Sequence, residues 1–242
     1  QPVVKIGDYA FKFATMSNGQ YFNIVSDNLL YIGEHAFENL NGVQMIYSNS
    51  IQYIGAYAFY NANSIRSVSM PGSVKSVGMY AFLSCSSLTK AEFESVESLC
   101  KIAFYEEFSN PLHYAKHLYV NGTEVTDVSV PNTVESVGAY AFYNANSIMS
   151  VSLPGSVKSI GSSAFERCSS LTKAEFANVE SLCKMNFANR SSNPLYNAKH
   201  LYVNGTEVID VVVPKIDTFL LLIVKVPSSS DTKSSAIIVS SF

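Results

Sequence analysis

AYAFYNANSI at Ala56–Ile65 returns unchanged at Ala139–Ile148. The identity extends outward on both sides. Ala56–Pro131 reappears with few changes as Ala139–Pro214, at a fixed offset of 83 residues. Inside each long copy runs a shorter unit marked by a Gly and an Ala-Phe pair: IGDYAF, IGEHAF, IGAYAF, VGMYAF, VGAYAF, IGSSAF. The marker phenylalanines are Phe11, Phe37, Phe59, Phe82, Phe104, Phe142, Phe165 and Phe187, spaced by 26, 22, 23, 22, 38, 23 and 22 residues. A period in the low twenties signals stacked coils, each of which buries its apolar residues against its neighbours. Such an array presents surface, so function is expected in binding and not in a catalytic pocket.

Composition agrees. The 242 residues are 48% apolar and only 14% charged, with a net charge of −3. No Lys/Arg run occurs, so the basic footprint of a nucleic-acid binder is missing and no nucleic-acid partner is expected. The longest strongly apolar run, Phe219–Val224, falls far short of the about 20 residues that span a bilayer. The chain opens at Gln1, and no signal peptide is recognisable in it to report secretion.

Within one unit, an aliphatic residue stands five before each marker Phe: Ile6, Ile32, Ile54, Val77, Leu99, Val137, Ile160 and Leu182. The Gly is expected to make a tight turn, and the polar link after the Phe to form a short helical or 3₁₀ turn. A strand follows. Its inward residues are expected to be Ile65, Val68 and Met70, then Leu88, Ala91 and Phe93, with Ile148, Val151, Leu153, Leu171, Ala174 and Phe176 repeating them. Between Phe104 and Phe142 the unit swells, and β-prone runs His117–Val120 and Thr123–Val128 flank Asn121-Gly122, a strong hairpin signal repeated at Asn204-Gly205. Asn121, Asn204 and Asn189 also match the glycosylation acceptor pattern, which the turn explains without sugar for the first two. After Pro214 the pattern fails: Leu221 stands where Gly belongs and Lys225 where Phe belongs. Phe219–Val226 reads as a strand, followed by the Ser-rich Pro227–Ser230 and then Ala236–Val239.

Four cysteines allow disulfides, Cys85–Cys100 and Cys168–Cys183. Cys85 and Cys168, however, stand where other coils carry Ala14, Leu40, Ala62 and Ala145, the slot of a small buried apolar residue. Cys100 and Cys183 replace the unit's Gly, which implies a changed backbone there. Free thiols are the favoured reading, with Cys85 and Cys168 hidden, Cys100 and Cys183 at the start of the irregular coils, and four thiols titratable after unfolding but few before. No close His/Cys spacing suggests a metal.

The reiterated IGxYAF, the runs SCSSLTKAEF and RCSSLTKAEF, VPNTVESVGAYAF and the LYVNGTEV hairpin resemble the BspA-like leucine-rich-repeat family of surface and secreted proteins, across about Val4–Pro214. The resemblance implies an α/β, mostly β, right-handed leucine-rich-repeat solenoid with a parallel sheet and two inserted β-hairpins. The expected organisation is an irregular N-terminal coil or cap over 1–25, the solenoid over 26–214, and a C-terminal cap or tail over 215–242. It also implies an extracellular bacterial surface protein, secreted or cell-bound, that adheres to a host or matrix protein or to a glycan.

No GxSxG, HExxH, GxGxxG or phosphate-loop pattern is present, and no cofactor is expected. Glu106-Glu107 has Asn189-Arg190 as its copy, which suggests a solvated loop and not paired carboxylates. His117 and His200 are copies of each other, and His35 replaces a Tyr; all the histidines read as surface or packing residues. The Tyr two before each marker Phe reads as packing in preference to a binding ladder. The better candidates are strand residues that point away from the core: Met45, Tyr47, Ser67, Ser69, Lys90, Glu92, Ser150, Ser152, Lys173 and Glu175, with Tyr119, Asp127, Tyr202 and Asp210 extending the row. The bland alternative is an ordinary solvated face. A monomeric, non-enzymatic adhesion module is expected; a spacer displaying another domain is the alternative, and a hydrolase stands behind both.

Overall fold

The computed structural model describes residues 4–15, 22–212, 215–216, 219–225 and 237–240. Each coil contributes one longer and one two-residue strand, so two ladders run along the stack. The longer strands Phe22–Val25, Val43–Tyr47, Ser67–Met70, Lys90–Phe93 and Leu118–Val120 pair in parallel, in that order. A second parallel sheet takes Asp127–Ser129, Ser150–Leu153, Lys173–Phe176 and His200–Val203. The two-residue strands, such as Tyr53–Ile54 and Ser76–Val77, form the other ladder, again in two parallel sets. The ladders break between the long copies, but the core does not: a single cluster of buried side chains runs from Leu29 to Ala198.

The inward trios of each strand are buried as their alternation requires, and Phe37, Phe59, Phe82, Phe142 and Phe165 are fully buried. Phe11, Phe37, Phe59 and Phe82 stack face to face at 5.2–5.3 Å between centroids, one ring per coil. Phe11 is 41% exposed because no described coil precedes it.

The glycines and the links differ from expectation. The unit Gly does not adopt a left-handed turn; among the described glycines only Gly42, Gly122 and Gly205 have positive φ. It is required by close approach. A Cβ on Gly55 would lie 2.6 Å from Glu34 N, on Gly78 2.5 Å from Ala56 N, and on Gly161 2.4 Å from Ala139 N. The left-handed conformation falls instead on non-glycine residues. Tyr9, His35, Tyr57, Tyr80, Tyr140 and Ser163 have φ of 52–60°, and Phe13, Asn39, Asn61, Ser84, Asn144 and Arg167 have φ of 55–64°. Each such residue costs about 1–2 kcal/mol. The alternation of right- and left-handed residues turns every second N–H toward the next coil: Tyr57, Phe59 and Asn61 donate to the carbonyls of Met79, Ala81 and Leu83, all at 2.8 Å. A 3₁₀ turn would aim these donors back along its own axis, which is why the link after the Phe is not one.

Where regular coils stop, the last donors need other acceptors. Tyr80 N–H donates to Glu106 Oε1 (2.8 Å), and Ser163 N–H to Asn189 Oδ1 (3.1 Å). Both acceptors also cap short 3₁₀ helices, Glu107–Ser109 and Arg190–Ser192. Glu106 and Asn189 thus do one shared job; the Glu106-Glu107 loop is half-buried, while its copy Asn189-Arg190 is exposed as a solvated loop would be.

Leu118–Val120 pairs antiparallel with Thr123–Glu124 across Asn121 (φ 48°) and Gly122 (φ 78°), and His200–Val203 with Thr206–Glu207 across Asn204 and Gly205. The run Thr123–Val128 is not one strand: Asp127–Ser129 leaves its hairpin and starts the second sheet. Beyond the repeats, Phe219–Lys225 pairs antiparallel with Asp210–Val212, Lys215–Ile216 and Ile237–Ser240, unlike any earlier coil. Pro227–Ser230 lies outside the described residues.

All four cysteines are free. Cys85 and Cys168 are fully buried, donate to the carbonyls of Phe59 (3.0 Å) and Phe142 (3.1 Å), and are pushed up to about 12 by burial. Cys100 lies buried in the helix Val96–Lys101, so the backbone does change there, though not because the lost Gly had positive φ. Cys183, in the matching helix Val179–Lys184, is exposed, in line with the few thiols expected to react before unfolding. A thiol-specific colour reagent is therefore expected to count one thiol in the native chain at low micromolar concentration and four after denaturation without reductant. A count of none after denaturation would establish two disulfides.

Candidate functional site

Parallel register sets the outward residues of the longer strands in columns about 4.8 Å apart. Ser67 is paired with Lys90, and Ser69 with Glu92, which is in turn paired with Tyr119. In the second sheet Asp127, Ser150, Lys173 and His200 form one column, and Ser152, Glu175 and Tyr202 belong to the other. Met45 is in register with Ser67, and Asp210 opposite Lys225; the side chains of Met45, Tyr47 and Asp210 lie outside the described residues.

The columns bring Lys, Glu and Tyr together twice. Lys90 Nζ lies 2.8 Å from Glu92 Oε2 and 4.8 Å from the centre of the Tyr119 ring; Lys173 lies 3.0 Å from Glu175 and 4.2 Å from Tyr202. The other carboxylate oxygen accepts from the hairpin glycine: Gly122 N–H to Glu92 at 2.5 Å, and Gly205 N–H to Glu175 at 2.8 Å. Each hairpin is thereby tied to the strand beside it. The ion pairs are about one-third to one-quarter exposed, where such pairs contribute roughly 0–1 kcal/mol each. They orient groups more than they stabilise the fold. Ser150 donates to Asp127 Oδ1.

Each hairpin adds a pair that the residue pattern did not single out. His117 Nδ1 lies 2.6 Å from Glu124 Oε1, and His200 Nδ1 2.5 Å from Glu207 Oε1. The clue was present in HLYVNGTEV, where His and Glu flank the turn and recur together. The expected single row is in fact two: Tyr119 belongs to the end of one sheet, and Asp127 opens the next. Ser67, Ser69 and Ser152 are half-buried on the same face as the Lys–Glu pairs.

Off this face, several histidines and tyrosines stack on one another. Tyr9, His35 and Tyr57 stack at 4.8 Å, with Tyr80 next. His113 sits against Phe108, Tyr114 and Tyr143 between the two copies; burial, then Arg167 and Lys116, pull it down to about 4. Among the described residues, no group of three or more His, Cys, Asp or Glu is placed to hold a metal ion, and no helix is long and apolar enough to cross a membrane.

The family model of the BspA type leucine rich repeat region matches residues 4–119 and 113–198, in six copies. No curated protein matches the chain. Among solved structures, a Treponema pallidum leucine rich repeat protein is 20% identical over 67% of this chain and 76% of its own, with a TM-score of 0.39. A Bacteroides ovatus leucine-rich repeat protein is 21% identical over 72% and 53%, TM-score 0.37. A leucine rich cell surface protein of Faecalibacterium prausnitzii is 17% identical over 72% and 71%, TM-score 0.28. At these scores the likenesses carry no argument about what this chain does.

Proposed function

We propose, for a chain that belongs to the BspA type leucine-rich-repeat family, a non-enzymatic, extracellular binding module of a bacterial surface adhesin. In this reading the coils form a right-handed solenoid, and the ligand lies across the face of Lys90, Glu92 and Tyr119 and its copy of Lys173, Glu175 and Tyr202. One observation carries the reading. The two long copies diverge at positions away from the sheet face, Arg66/Met149, Leu83/Glu166, Glu94/Ala177, Tyr105/Ala188 and Glu106/Asn189. Across the face they are identical at Ser67/Ser150, Ser69/Ser152, Lys90/Lys173, Glu92/Glu175, His117/His200, Tyr119/Tyr202, Glu124/Glu207 and Asp127/Asp210, and differ at Ser129/Val212. Core packing does not require that identity, because these side chains do not fill the core. A ligand held at two equivalent places accounts for it, since the second contact then forms at high effective concentration.

A host matrix protein or a glycan is the partner class, and Tyr beside a charged pair suits either. The test is saturable binding to a panel of matrix proteins and glycans. Tyr119→Ala and Tyr202→Ala together are expected to weaken the positive interaction at least about tenfold, with either alone intermediate and the melting temperature unchanged. No specific binding up to high micromolar concentration would favour a spacer that displays another domain.

A further inference from the structure

Beside the first Lys–Glu–Tyr group lies a cleft of about 570 Å³, lined by Lys90, Tyr114, Lys116, His117, Tyr119 and Glu124 over the buried Leu88 and Ala115. A cleft of that size takes a small molecule or a short stretch of a polymer, not the broad surface of a folded protein. The carboxylates around it are already engaged: Glu92 by Lys90 and the Gly122 N–H, Glu124 by His117. Lys116 is not. It is exposed at the rim and forms no ion pair among the described residues, so the cleft carries an uncompensated positive charge. His117 Nε2, the second Glu124 oxygen and the Tyr119 hydroxyl likewise have no partner among the described residues.

The backbone at Lys116 does not favour a lysine. It closes the short helix Leu112–Ala115 with φ 62°, where glycine is the usual residue because a Cβ is strained there. Its copy Lys199 follows a 3₁₀ turn, Pro194–Tyr196, and is not left-handed. The backbone setting therefore differs between the copies while the lysine does not. Of the six lining residues only Tyr114 changes, to Asn197. What the two places share is the side-chain chemistry: a free cation, an aromatic ring and a His–Glu pair.

We infer that each copy binds an acidic saccharide at this place. Lys116, or Lys199, takes the carboxylate or sulfate through a charge-assisted hydrogen bond. The ring of Tyr119, or Tyr202, forms an apolar wall for the pyranose, held in position by Lys90, or Lys173. His117 with Glu124, or His200 with Glu207, takes neighbouring hydroxyls. An acidic peptide side chain would satisfy the lysine but leave that last pair without hydroxyls to bind. The inference rests on the proposed reading of this face as the binding face and narrows its partner to one class.

The test is calorimetric titration of the full chain with hyaluronan tetrasaccharide, chondroitin sulfate tetrasaccharide and sialyllactose, with carboxyl-reduced hyaluronan tetrasaccharide and lactose as neutral counterparts. At least one acidic probe is expected to bind at two sites per chain, at least about tenfold tighter than the neutral sugars, and more weakly as salt is raised. Lys116→Gln and Lys199→Gln are each expected to halve the number of sites, and together to abolish binding. Lys116→Gly separates charge from structure: glycine is at ease at φ 62°, so this variant is expected to melt no lower than the parent and still lose its site. Equal binding of the neutral sugars overturns the inference, as does acidic-sugar binding unchanged in the double Lys→Gln variant. If no sugar binds at millimolar concentration while a matrix protein is still held through Tyr119 and Tyr202, the inference fails and the adhesin reading stands. If neither sugar nor matrix protein binds, both fail.

Discussion

Phe82→Ala is expected to lower the unfolding free energy by about 3–5 kcal/mol, the usual cost of deleting a fully buried aromatic. The ring has no exposed surface and stacks on Phe59 at 5.2 Å with an interplanar angle of 14°. It is the last of a run of four stacked rings, and its own N–H is tied to the Phe108 carbonyl beyond the regular coils. Neither side can collapse into the space easily. On one side the ring packs on the preceding coil; on the other lies the capped loop that Glu106 holds in place. For a chain of this length each kcal/mol moves the melting temperature about 2–4 °C, so a fall of roughly 6–20 °C is expected by calorimetry. Phe187→Ala deletes the same ring at a half-buried position and is expected to cost distinctly less. Equal, small effects at both positions would mean that the marker rings are not what the coils pack around.

The marker rings and inward trios were legible because they rest on local alternation and on a period, both visible in one dimension. Val68, Met70, Ala91 and Phe93 point inward for the reason any half-buried strand alternates. What escaped the sequence depends on residues one coil away. Tyr57 in a left-handed conformation is unremarkable as a letter; its φ follows from the Met79 carbonyl that its N–H must reach. Glu106 and Asn189 differ chemically, so their copies looked like drift. Both are carbonyl-oxygen acceptors for a donor 26 residues earlier, and that shared property is what the fold uses. On the candidate site, register placed Lys90, Glu92 and Tyr119 side by side, as strand counting allows. The His117–Glu124 pair was missed because it forms across a hairpin, between residues read separately as surface copies.

The unit glycine gives the sharpest separation between two explanations of one residue. Gly161→Ala adds a single methyl group, yet its cost is expected to approach that of losing the Phe82 ring. The new carbon would lie 2.4 Å from Ala139 N, 2.7 Å from Ala139 Cα and 2.9 Å from Gly138 C. All three are backbone atoms of the adjacent coil, so no side chain can swing aside. The coils must part locally, stretching the Gly161 N–H bond to the Val137 carbonyl (2.8 Å) and the stacking of Phe142 on Phe165. Overpacking of this kind costs about 1–3 kcal/mol and occasionally more, and a clash with rigid backbone belongs at the upper end. If the glycine served a left-handed turn, Asn would be tolerated better than Ala, because Asn enters that region readily. The structure predicts the reverse order, Ala less damaging than the larger Asn, since the obstacle is space. Gly7→Ala, whose methyl meets nothing, is expected to leave the monomer's stability within about 0.5 kcal/mol of the parent. Denaturant unfolding of the three variants decides it: Asn better than Ala at position 161 would return the glycine to a turn and remove close coil contact as its reason.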